Sequence, residues 1–124
     1  MSIQRGVSFQ RGSLVWVDLG VGVGSEGENR RPAVVVSNDG ANSSALHLGR
    51  GVITVVPMTT RDKSPYPFQV AVPQALSGLP TNSIAQAEQV RSVDVKCLTP
   101  TGRRLPPPLM AQLNQALSLH LALW

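Results

Sequence analysis

Apolar positions come in short blocks separated by polar and glycine-rich stretches, and over most of the chain that spacing predicts strands. LVWVDL at 14–19 is rich in β-branched and large apolar residues and stops at a glycine cluster, the pattern of a strand. AVVV at 33–36, opened by Pro32, is a continuous apolar run too short for a helix, which predicts a strand buried on both faces. VITVVPM at 52–58 predicts another. FQVAV at 68–72 alternates in the manner of a half-buried strand, and SIAQAEQVRSVDV at 83–95 predicts a strand with a bend or bulge near Arg91. Between these lie a glycine-rich loop at 20–31, turn chemistry with one short helical turn at 38–50, a polar loop at 59–67 and a connection at 73–82. Only the end of the chain has helical spacing. There PPP at 106–108 precedes a segment in which Leu109, Leu113, Ala116, Leu117, His120 and Trp124 recur on one face. Several short strands and one late helix, without strand–helix alternation, predict a mostly β fold, a small closed barrel or sandwich with a C-terminal helix. Residues 1–11 show no periodicity and are expected to form a flexible arm ahead of a single domain at 12–124.

Composition narrows the function classes. At 124 residues there is room for one core, and 42% hydrophobic against 15% charged residues excludes a disordered chain. Eleven Lys and Arg face seven Asp and Glu for a net charge of +4, and nine of the eleven are Arg. Arg matches phosphate oxygens in pairs, so the expected partner is anionic, nucleic acid ahead of a membrane surface. No apolar run approaches the roughly 20 residues needed to cross a bilayer. The lone Cys97 permits no internal disulfide, and Arg5 and Arg11 are followed by no secretory apolar stretch, which together predict a reducing, cytoplasmic setting. His47, His120 and Cys97 lie far apart in sequence, a spacing that implies neither a metal nor another cofactor. GVGSEG at 22–27 fits the G-x-G-x-x-G pattern, but the next element is a strand instead of a helix, which excludes a dinucleotide turn.

The order of pieces is more informative than any one of them. RGSLVWVDL, GSEGENRRPAVVVSND, ITVVPMTT, YPFQV and AQAEQVRSVD follow one another from about Arg11 onward. In this order they resemble the MazF/PemK family of toxin endoribonucleases. The resemblance implies an SH3-like barrel, a homodimer, and metal-independent cleavage of single-stranded RNA to 2′,3′-cyclic phosphate and 5′-hydroxyl ends. It also implies an acidic, MazE-like antitoxin as partner.

By the same resemblance Arg31, in the RP position, corresponds to the family's catalytic arginine. Thr59 matches the first threonine of the TT pair, and Glu26 the acid of GSE. Arg30 competes with Arg31 for its role, and Glu28 with Glu26 as the carboxylate that takes the 2′-hydroxyl proton. Arg30, Ser37, Asn38, Thr60, Gln86, Glu88, Gln89 and Arg91 are polar residues on or beside otherwise apolar elements, candidates for contacts to RNA, with a structural role, pinning the bent strand or, for Thr60, facing the turn, as the alternative. With five aromatic residues in the chain, recognition is expected to rest on hydrogen bonds and Arg contacts. Gyrase-poisoning toxins share the barrel and the dimer but act by contact alone, and they lack the RP and VVPxTT pieces. They remain the alternative reading, followed by a plain RNA-binding barrel.

Overall fold

The computed structural model describes residues 9–21, 28–60 and 64–123. Among these residues the chain forms β1 (Ser13–Val21), β2 (Glu28–Val35), α1 (Asp39–Leu48), β3 (Val52–Thr60), β4 (Gln69–Val72), α2 (Gln74–Ser77), β5 (Ser83–Gln86), β6 (Arg91–Asp94), β7 (Leu98–Arg104) and α3 (Pro107–Leu121). The strands form one antiparallel sheet in the order β4-β5-β3-β2-β1-β7, with β6 also on β3. This is the mostly β, barrel-like architecture with a C-terminal helix expected from sequence, although the sheet does not close into a ring.

Both faces of the central strands are covered, which is why their sequences are apolar without alternation. Leu14, Val34, Val56 and Met58 point to one face and pack under Leu109, Leu113, Ala116 and Leu117 of α3. Val15, Val17, Ala33, Val35, Ile53 and Val55 point to the other, against Phe9, Ala45 of α1, Val93, Val95 and Leu98. A fully buried side chain of this size contributes about 1.5–3 kcal/mol. Phe9 is buried, and Arg11 donates from its backbone to Asp39 Oδ1 at 2.7 Å and from its side chain to Val36 O at 2.9 Å and Asn114 Oδ1 at 2.7 Å.

β3 changes partners along its length. Its first half pairs with β2 and β6, its last three residues with β5, and β4 joins β5. Two leaves therefore meet along β3. The β2–β3 ladder covers only Val35↔Val55 to Ala33↔Pro57. Pro57 and Pro32 each lack a ladder donor, and beyond them Arg30–Pro32 and Met58–Thr60 part.

Four elements differ from the sequence-based expectation. The single helical turn at 38–50 is a ten-residue helix, capped by Asn38 Oδ1 accepting from Ala41 N at 2.8 Å and closed by Gly49 at φ 66°. The connection at 73–82 holds the short α2. The segment 83–95 is two strands: between the Met58↔Ala85 and Val55↔Arg91 pairs β3 advances three residues and its partner six. The surplus is looped out as a 3-10 turn at Ala87–Gln89. β7 carries no strand pattern in its sequence; it is an edge strand in which Pro100 and Gly102 (φ 79°) are tolerated at a register shift against β1. His120 is exposed instead of lying on the buried stripe of α3, and Trp124 lies outside the described residues.

Candidate active site

Where β2 and β3 part, a cleft of about 470 Å³ opens. Arg30, Arg31 and Pro32 of β2 and Met58, Thr59 and Thr60 of β3 line its sides, and Trp16 of β1, the ladder partner of Pro32, lies beside β2. Leu79, Pro80, Thr81 and Ser83, from the turn after α2 and the start of β5, form the remaining wall. The site thus brings two guanidinium groups and four hydroxyl-bearing residues around an apolar floor that continues into the core beneath α3.

Each side chain has a distinct hold. Arg31 is half-buried and sits opposite Val17 in the β1–β2 ladder, while Arg30 is exposed and sits opposite Asp18. The Arg30 guanidinium lies 4.9 Å from the centroid of the Trp16 ring, an arrangement in which ring quadrupole and cation attract. Thr59 is half-buried opposite Ile84, and Thr60 Oγ1 shares a 3.1 Å hydrogen bond with Thr81 Oγ1. The opposite wall is stiffened by its own polar contacts. Gln74 donates from its side chain to Pro80 O at 2.9 Å and from its backbone to Asn82 Oδ1 at 2.8 Å, and the buried Ser77 Oγ accepts from Leu79 N at 3.0 Å. A cleft with fixed donors and an apolar floor suits a planar, anionic ligand such as a nucleotide.

The comparisons agree with this geometry. The model of the PemK-like, MazF-like toxins of type II toxin-antitoxin systems matches residues 10–121. The chain belongs to the PemK/MazF family. Its relatives include "Endoribonuclease MazF9" of Mycobacterium tuberculosis, 52% identical over 94% of this chain and 98% of that one. "Endoribonuclease toxin MazF" of Escherichia coli is 36% identical over 85% of this chain and 86% of its own. Among solved structures, a MazE–MazF crystal structure from Deinococcus radiodurans superposes with a TM-score of 0.74 at 27% identity, covering 95% of this chain and 99% of that one.

Of the PemK/MazF site residues expected from sequence, the structure brings Arg30, Arg31, Thr59 and Thr60 into one cleft. Glu26 lies outside the described residues, between the ends of β1 and β2 that pair at Val21↔Glu28. The others stand elsewhere. Asn38 caps α1, and the Ser37 hydroxyl donates to Asn42 Oδ1 and accepts from Thr54 N at 3.1 Å. Gln86 is half-buried opposite Gln69, and Glu88 turns inward, where its Oε2 accepts from Gln69 Nε2 at 2.8 Å. Its Oε1 is buried with no hydrogen-bond partner among the described residues. Gln89 is exposed, and Arg91 lies in a separate depression with Asp18, Gly20 and Asp94. Sequence reasoning missed Trp16, Leu79 and Thr81 as site residues. Trp16 is legible in sequence only as part of a strand motif, and the 79–81 wall carries no motif of its own.

Proposed function

We propose that this chain is the toxin of a toxin-antitoxin pair, a cytoplasmic endoribonuclease that cuts single-stranded RNA in the cleft between β2 and β3. The observation that carries the reading is the convergence of Arg30, Arg31, Thr59 and Thr60 on one cleft in a chain 52% identical to an endoribonuclease over nearly its whole length. The RNA 2′-oxygen attacks the adjacent phosphorus, and the bond from phosphorus to the 5′-oxygen breaks. The products are a 2′,3′-cyclic phosphate and, once the leaving oxygen takes a proton, a 5′-hydroxyl. Arg31 pairs with the phosphoryl oxygens as their charge redistributes, and Thr59 donates its hydroxyl to one of them. Arg cannot act as the base because it stays protonated; that role falls to a carboxylate, for which Glu26 is the assignment. Arg30, held over Trp16, binds RNA beside the reacting phosphate.

With the Arg31 guanidinium supplying the positive charge at the phosphate, cleavage is expected to persist in excess EDTA and to leave 5′-hydroxyl ends. Sequencing the 5′ ends formed on a long mixed RNA, with and without chelator, checks both points. Loss of cutting in EDTA with recovery in magnesium would overturn the mechanism, and absence of cutting under all conditions would favour a toxin that acts by contact alone.

The toxin is also proposed to be a homodimer held in check by an acidic antitoxin lying over the same basic surface. Leu119, Leu121 and Leu123 at the end of α3 are 47%, 47% and 62% exposed, a concentration of apolar surface that a second copy would cover. Sedimentation at micromolar concentration is expected to give a dimer; a monomer would overturn this part of the proposal.

A further inference from the structure

We propose that Arg103 forms an accessory subsite for an RNA backbone phosphate outside the scissile position, at the α2 rim of the cleft; this rests on the reading of the cleft as an RNA site. Two independent features place it there. The first is register. Arg103 sits opposite Leu14 in the β1–β7 ladder, and Arg30 sits opposite Asp18 in the β1–β2 ladder. Leu14, Trp16 and Asp18 are alternate residues of one strand, and paired residues share a face, so Arg103 and Arg30 lie on the same side of the sheet, flanking β1.

The second feature is contact. The Arg103 side chain lies directly over Gly78, where a Cβ would collide with its Nε, Cζ and Cδ. Gly78 closes α2 at φ 73° and is followed immediately by Leu79, Pro80 and Thr81 of the cleft wall. A side chain at position 78 would displace the guanidinium, and the positive φ favours the residue that has none.

The guanidinium has donors to spare. The Arg103 backbone N donates to Thr101 Oγ1 at 3.1 Å, but among the described residues its side chain meets no carboxylate and no hydrogen-bond acceptor. An exposed planar fork lying against Gly78, with no internal partner among the described residues, matches a phosphodiester, which offers two non-bridging oxygens. Arg31 stands on β2, across β1 from β7, and pairs with Val17, whereas Arg103 pairs with Leu14, three residues away along β1 and on the other face, so Arg103 does not share the phosphate that Arg31 binds. It serves a neighbouring one.

The test measures RNA binding by fluorescence anisotropy in a Thr59→Ala background, using mixed-sequence single-stranded RNA on the order of 4 and 12 nucleotides long. Arg103→Ala is expected to weaken binding of the longer RNA about tenfold and to lower the slope of log affinity against log salt by about 0.7. The shorter RNA should lose little. Arg50→Ala removes the same charge from an exposed position after α1 and is expected to leave both affinities within about twofold. Equal losses for Arg103→Ala and Arg50→Ala would reduce the effect to net charge, and equal losses on both RNA lengths would move Arg103 to the scissile phosphate; either overturns the inference. Loss confined to an acidic peptide, with RNA binding intact, would also overturn it and assign the residue to the antitoxin. RNA binding that is absent before Arg103 is changed would instead overturn the RNA reading of the cleft.

Discussion

Arg31→Ala is expected to slow single-turnover cleavage at saturating RNA by a factor of about 10²–10³ while leaving circular dichroism unchanged. The size follows from the proposed role, since a preorganised donor aimed at developing charge is worth more in the transition state than in the ground state. The fold should survive because the ladder contact opposite Val17 is made by backbone, which Ala retains. Arg30 cannot take over. It is the adjacent residue on a strand, so its side chain leaves from the opposite face, and its guanidinium is engaged by the Trp16 ring. Arg30→Ala should therefore weaken RNA binding more than it lowers the saturated rate. Lys at position 31 keeps the charge and loses the paired donors, so only part of the rate should return. A saturated rate for Arg31→Ala close to that of the parent protein would remove this residue from the reaction.

Asn42→Ala is expected to destabilise the fold by about 2–4 kcal/mol. Asn42 is fully buried, and its Nδ2 donates to Ser37 O at 2.9 Å while its Oδ1 accepts from the Ser37 hydroxyl. Truncation removes the partner of the half-buried Ser37 carbonyl and leaves a void beneath a helix whose only other buried residue is Ala45. Urea unfolding should show a lower midpoint with an unchanged slope. A loss under about 1 kcal/mol would mean that α1 is held mainly by something else. Measured below the unfolding transition, cleavage by this variant should be near normal, because Ser37 and Asn38 are occupied in seating α1 and do not line the cleft.

That same polar seat explains what the sequence left hidden. The strands at 14–19, 33–36 and 52–58 were legible because both sheet faces are covered, and α3 was legible because Leu109, Leu113, Ala116 and Leu117 form its buried stripe. α1 buries only Asn42 and Ala45, with Leu46 packed at the edge of the core, so its apolar stripe is short, and its Ser and Asn residues carry the pattern of a turn. β7 buries Leu98 alone, and its Pro and Gly contradict a strand except at an edge. For the site, local motifs marked Arg31 and Thr59 because the residues that part the strands, Pro32 and Pro57, belong to those motifs. Ser37, Asn38 and Glu88 resemble ligands in sequence because a cap, an internal hydrogen bond and an RNA contact call for the same residue types. Only their neighbours in space distinguish them.

The change of partners along β3 gives the cleft a mechanical character. Arg31 stands on the leaf of β1, β2, β6 and β7, whereas Thr59 stands where β3 has passed to the leaf of β4 and β5. The separation between the two groups is therefore a jaw opening, set by the angle at which the leaves splay from the Ala33↔Pro57 pair. Widening that angle by a fraction of its value misaligns donor and phosphate while every hydrogen bond within each leaf stays intact. A wedge driven between Trp16 and the 79–81 turn would disarm the reaction without covering either group.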